Sequence, residues 1–299
     1  MMRIVPLVFL ATTITLGLLS LSACTTPGMR VSNANRLALP TFMYPRTITV
    51  DGYQIKTYER THALGGVATV YIEGSGNVWG RGFDLANIMD DPTPQNPVGM
   101  VLASNDTGKN VIYVARPCQY GMKKVGADTC PADTLTTRMY APDMVALYNH
   151  VLDGLKSRYR FTKFQLVGYE SGGGLATLLA SERDDVLSLR TVAGILDTET
   201  FARAKGLTGF EVSVNPVTRV PKLIDVPQHH YLAQFDDLVP NEIYHSFAQA
   251  FGNNRCLSYT LVPEVDHTYD WAETWAGAAK LAVTCMDTPI TPLPLAPPL

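Results

Sequence analysis

Hydrophobic and polar residues alternate through "RTITVDGYQIKTYER" (46–60), with a break at Asp51-Gly52 that predicts two strands joined by a tight hairpin. The pattern then changes to continuous apolar runs, "VATVYIEGSG" (67–76) and "NVIYVARP" (110–117), which read as buried strands. Between them Pro97 opens a short helix. "APDMVALYNHVLDGLKSRY" (141–159) has helical period, with Pro142 suited to a first turn, Asp143 to the helix N-terminus, and Tyr148, Val151, Leu152 and Leu155 on one face. The remainder alternates: strand 163–169, helix 173–183, strands 189–196 and 229–235, helix 241–251, strand 256–265 and helix 269–283. Strands alternating with helices predict an α/β fold, a mostly parallel sheet with helices on both faces.

The ends of the chain have a different character. Residues 1–23 carry one cation, Arg3, then an uncharged apolar stretch, then Ser22 and Ala23 before Cys24. This three-part order is that of a secretory signal. "LSAC" resembles the lipobox of bacterial lipoproteins, which implies cleavage before Cys24 and lipidation of its thiol. The expected location is the cell envelope, anchored by lipid, and the lack of Asp at position 25 points to the outer membrane facing the periplasm. Residues 24–45 are rich in Thr, Pro, Ser and Asn with little periodicity and are expected to be a flexible tether. The proline-rich tail 287–299 is unsuited to helix or central strand. One domain is expected over 46–286.

Composition narrows the function classes. The 299-residue chain has 46% hydrophobic residues and a formal net charge of −3, with no basic concentration that would serve nucleic acid. Setting Cys24 aside, Cys118, Cys130, Cys256 and Cys285 remain, an even number in an exported chain. Local pairing, Cys118 with Cys130 and Cys256 with Cys285, is the preferred one of three connectivities. Neither C-x-x-C nor H-x-x-x-H spacing is present, so no metal site is expected, and no cofactor is implied.

In a parallel sheet, catalytic groups collect where strands end. "QFDDLVP" places Asp236 and Asp237 after one apolar run, and "VPEVDHTYDW" places His267 after the last. "LVGYESGGGLA" (166–176) stands between a strand and a helix, where the G-x-S-x-G nucleophile elbow of a hydrolase would lie. A serine triad needs a nucleophile, an imidazole base and an orienting carboxylate. The order Ser171, Asp236, His267 satisfies that need. Gly74, Ser75 and Gly76 after the third predicted strand allow a turn whose N–H groups face a cavity, as an oxyanion hole requires. His229 and His230 are adjacent and point to opposite faces of a strand, while His62, His150 and His245 lie in turn or helix patterns.

Together "YIEG.G", "DPTPQNP", "RPCQY", "GYESGGGLA", "TVAGILD", "FDDLVP" and "DHTYDW" resemble a family of bacterial exported or lipoprotein α/β hydrolases, over residues of about 70 to 275. The resemblance implies the α/β-hydrolase fold, Asp236 as acid, His267 as base, Gly74 and Ser75 near the oxyanion, and a structural disulfide at Cys118 beside the site. The chain departs from the family pattern at Ser75, usually acidic, and at "GYESGGGLA", where the family has "GYSGGGALA". Two registers of the elbow follow. In one, Ser171 is the nucleophile, and N–H groups near Ser75 and Gly172 hold the oxyanion. In the other, Glu170 holds the tip and Gly168 and Gly172 are the small residues flanking it. The first describes a membrane-tethered envelope serine hydrolase acting on an ester or other acyl compound. The alternative is a catalytically inactive relative that binds an envelope ligand or partner.

Overall fold

In the computed structural model, residues 26–78, 91–267 and 271–286 are described. The predicted hairpin is present: β1 (Tyr44–Val50) and β2 (Tyr53–Thr61) pair antiparallel. Asp51 and Gly52 both have positive φ, 49° and 77°, the backbone a two-residue hairpin turn demands. β3 (Val67–Ile72) and β4 (Asn110–Val114) are the two apolar runs. β5 (Lys163–Tyr169), β6 (Val186–Val192), β7 (Gln228–Ala233) and β8 (Leu257–Val262) complete one sheet of order β1-β2-β4-β3-β5-β6-β7-β8. Every neighbour pair from β4 to β8 is parallel, and β2 pairs antiparallel to β4.

Among the described residues there are seven α-helices: α1 (Pro27–Ala38), α2 (Val98–Asn105), α3 (Pro142–Tyr159), α4 (Ser171–Glu182), α5 (Thr198–Lys205), α6 (Glu242–Phe251) and α7 (Trp271–Ala278). They divide between the two faces of the sheet. Ala68, Val70, Ile72, Ile112 and Val114 pack with α3, α4 and α6, while Tyr71, Val111 and Tyr113 pack with α1, α2 and α7. Successive strand residues therefore feed opposite cores, which is why the central strands read as unbroken apolar runs. α5 was absent from the predicted elements. Its N-cap is Asp197, whose Oδ1 accepts from Glu199 N and Thr200 N.

The expected tether differs most. Residues 27–43 are folded onto the domain, with Ala34, Ala38 and Met43 fully buried. Arg30 Nη1 donates to Asp91 O and Thr93 O at 3.0 and 3.1 Å, and Tyr58 Oη donates to Asn35 Oδ1 at 2.8 Å. Two alanines at i and i+4 make a close helix contact without the large apolar stripe that announces one. Both preferred disulfides are present, Cys118–Cys130 and Cys256–Cys285. The signal segment, Cys24 and the tail 287–299 lie outside the described residues.

Candidate active site

The elbow register is decided by two glycines. A Cβ on Gly168 would lie 2.2 Å from Gly172 O, and one on Gly172 would lie 2.3 Å from Ile72 O and 2.5 Å from Glu73 O. The residue midway between them is Glu170, at φ 50° and ψ −120°. A non-glycine residue held there costs on the order of 1 to 3 kcal/mol, and surrounding packing must enforce it. Here Glu170 N donates to Val192 O at 3.0 Å, and its carbonyl accepts from Gly173 N and Ile195 N at 2.9 and 3.1 Å. Glu170 is thus the elbow tip.

Ser171, expected at the tip, is instead the first residue of α4 and fully buried. Its Oγ accepts from Ser75 Oγ at 2.8 Å and from Arg116 Nη1 at 3.2 Å. A guanidinium donor polarises the hydroxyl but takes no proton from it. The expected base, His267, stands elsewhere: its Nδ1 lies 3.0 and 2.9 Å from the two carboxylate oxygens of Asp236. Asp236 Oδ1 also accepts from Leu238 N and Val239 N, at 3.0 and 2.7 Å, so the carboxylate is fixed by its own loop. With Nδ1–H donating to Asp236, Nε2 is an acceptor, and Tyr169 Oη donates to it at 2.8 Å. Burial, followed by the charges of Glu170, Glu73 and Asp236, holds the Tyr169 phenol well above the usual range, so it is a neutral donor. The structure therefore brings Asp236 and His267 together as expected, and joins to them Tyr169 rather than Ser171.

The oxyanion loop is also altered. Ser75 N donates to Glu170 Oε2 at 2.5 Å. Gly74, expected as a second donor, has its N–H turned to Glu73 Oε1 at 2.9 Å. With Glu170 at the tip, the amide that follows belongs to Ser171, not Gly172, whose role is close contact with β3. Gly74 lacks a Cβ for the same reason: one would sit 2.6 Å from Glu170 Oε2.

Several residues that sequence reasoning missed frame this arrangement. Glu73 follows β3 and is buried; its Oε1 also accepts from Gly99 N at 3.1 Å and its Oε2 from Tyr113 Oη at 3.1 Å. Burial raises its carboxyl to about 7, against the opposing pull of the Gly74 and Gly99 amides. Arg116 follows β4, 1% exposed, with Nη2 donating to Met139 O at 2.9 Å. Tyr140 Oη donates to Ser171 O at 2.9 Å and seals the start of α4. The one signal for Arg116 was its place in "RPCQY", and nothing in "YIEG" separated Glu73 from a turn residue. The remaining histidines stay apart from the dyad: burial lowers His229 and His230 to about 4 and about 3, and they bond to Ser258, Thr260 and Thr191. Thr268, Tyr269 and Asp270 of "DHTYDW" lie outside the described residues.

The chain has the α/β-hydrolase fold. Solved structures similar to it include Est1E from Butyrivibrio proteoclasticus, with 16% identity, 79% of this chain and 96% of that one covered, and a TM-score of 0.55. The Pyrococcus furiosus esterase Pf2001 is similar at 14% identity, over 80% and 91% of the two chains, with a TM-score of 0.54. A puromycin hydrolase matches at 15% identity and a TM-score of 0.52 over 79% of this chain, which spans 37% of that protein. At these identities the likeness establishes the fold, and the site must be argued from its own residues. No protein-family model matches the sequence, and no curated protein matches it.

Proposed function

We propose that this protein is a lipid-anchored protein of the cell envelope in which a carboxylate replaces the elbow nucleophile of a serine hydrolase, so that the pocket binds an envelope ligand or partner without serine acyl transfer. The observation that carries this reading is the hydrogen bond from Ser75 N to Glu170 Oε2. In an acyl-transfer site that N–H would receive the oxyanion of the tetrahedral intermediate. Here a carbonyl oxygen arriving at the elbow finds the donor already engaged by a negative group.

The triad through Ser171 is the competing reading, favoured by the intact pairing of Asp236 with His267. It requires Ser171 to leave Arg116 and Ser75, and the turn to begin one residue later. Gly168 opposes that shift, because its close approach to Gly172 O is tied to the present tip.

A fluorophosphonate probe with peptide mapping separates the two. Wild-type protein and the Ser171→Ala variant are expected to be inert. Glu170→Ser should gain a probe-reactive serine, since the dyad and the Ser75 N–H are already in place. Labelling of Ser171 in the wild type would overturn the proposal in favour of the serine hydrolase.

A further inference from the structure

Lipidation at Cys24 leaves Thr25 and Thr26 ahead of Pro27, the first residue of α1. At about 3.3 to 3.6 Å per residue, that connection spans only about 10 Å. Because α1 is packed onto the domain through Arg30, Ala34 and Ala38, a short anchor restricts which surface faces the membrane.

The surface next to that anchor is unusual in three respects. The side of α1 turned away from the core shows Met29, 51% exposed, and Arg36, and Leu39, just past its end, is 45% exposed. Continuing toward β1, Phe42 and Tyr44 are 59% and 57% exposed, and Leu64, from the β2–β3 connection, is 69% exposed. These belong to one edge: Phe42 meets the ring of His62 at 6.0 Å, and Arg60 Nη1 donates to Thr41 O at 2.9 Å.

Second, Phe42 has φ 61°, where glycine or asparagine would be less strained, so the fold holds an exposed aromatic side chain in an unfavourable backbone conformation. Third, residues 26–50 contain Arg30, Arg36 and Arg46 but no Asp or Glu, in a chain of net charge −3. Arg30 is buried and Arg46 is paired with Glu59, which leaves Arg36 as the outward cation. Aromatic rings with a neighbouring cation suit the headgroup region of a bilayer.

We propose that this face, from the outer side of α1 through Phe42, Tyr44 and Leu64, docks on the lipid bilayer and fixes the orientation of the domain at the membrane. The proposal rests on the lipid-anchor reading above. It gives the anchored protein a defined lower side in place of free rotation on a tether. Since the first turn of α1 is bonded to the Asp91–Thr93 segment, and Pro92 O accepts from Asn77 N, the anchored end of α1 connects through that segment to the loop that follows β3.

The test uses the full acylated chain in vesicles of phosphatidylethanolamine and phosphatidylglycerol. A photo-crosslinking p-benzoylphenylalanine replaces Phe42, Tyr44 or Leu64, or, as controls, Ile224 or Phe235, which are 45% and 60% exposed. Lipid adducts are expected several-fold more often at the first three positions. Phe42→Gly should leave the melting temperature unchanged or raised, because glycine accepts φ 61°, while lowering the lipid adduct at Leu64. Equal adduct yields at all five positions in acylated, vesicle-bound protein would overturn the docking face and leave the anchor standing. Absence of acylation at Cys24, with no flotation on vesicles, would overturn the anchor and this proposal with it. Adducts at positions 42 and 64 to a second copy or another protein in place of lipid would overturn the bilayer as occupant.

Discussion

The two halves of the site differ in how far they match the arrangement a serine hydrolase would need. Around His267 the geometry is compatible with serine-hydrolase chemistry: a carboxylate bonded to Nδ1 and a hydroxyl on Nε2. Around Glu170 it is not: the tip carries a carboxylate, the oxyanion amide is bonded to it, and the nearest serine hydroxyl is held by a guanidinium. The Asp236–His267 pairing and the elbow are each built by their own loops. Asp236 is held by the amides of Leu238 and Val239, while the elbow is held by the contacts of Gly168 and Gly172.

The largest effect is expected where a nucleophile is supplied to the His267 half. In the Glu170→Ser background, His267→Ala should slow fluorophosphonate labelling by about a thousandfold or more, because hydroxyl attack at neutral pH needs its base. Labelling rates for the single and double variants measure this directly. Similar rates would mean that the dyad, although paired, is not aimed at the elbow.

The elbow half is tested by steric substitution. Gly172→Ala must push α4 away from β3, since its new Cβ would meet Ile72 O at 2.3 Å, and a loss of about 3 kcal/mol is expected in urea unfolding. Gly154→Ala, in α3 with nothing within 4 Å of its Cβ, should stabilise by about 0.5 to 1 kcal/mol. Equal effects would remove the steric reason for placing Glu170 at the tip.

These glycines show what was legible in the sequence. Alternation and apolar runs gave the hairpin, the parallel strands and the loops bearing Asp236 and His267, since period and strand ends are local properties. The glycine spacing around Glu170 was legible as well, but the choice of register turns on φ at one residue and on backbone contacts with β3. α1 was hidden because it packs through alanines. Arg116, Glu73 and Tyr169 were hidden because their partners come from helices, loops and strands distant in the chain, and no local pattern encodes such pairs.

Glu73, beside the elbow, makes stability depend on pH. Its carboxyl, ordinarily near 4.5, is raised to about 7 by burial. A raised folded-state value means that the native protein keeps a proton the unfolded chain releases, so its stabilising effect is complete below about 4.5 and is lost as pH rises through about 7. The loss is on the order of 3 kcal/mol across that window. Glu73→Gln, uncharged at every pH, should flatten the fall in melting temperature between these limits and leave the elbow carboxylate unaffected. An unchanged pH profile would mean that Glu73 is ionised in the native state and compensated by its donors.

A smaller loss than those at Gly172 and Glu73 is expected from Ser171→Ala, and it tests the Glu170 half of the site most directly. Ser171 Oγ accepts from Arg116 Nη1 and Ser75 Oγ in a fully buried setting. Removing it takes one acceptor from a buried guanidinium whose Nη2 remains bonded to Met139 O, and a cost of about 1 to 2 kcal/mol follows. If Ser171 is only a structural acceptor, the melting temperature should drop slightly. In the Glu170→Ser background, labelling at position 170 should continue at nearly the rate seen without the second substitution. A double variant that folds but loses labelling would place Ser171 in the chemistry of the elbow, and the separation between the two halves would then be incomplete.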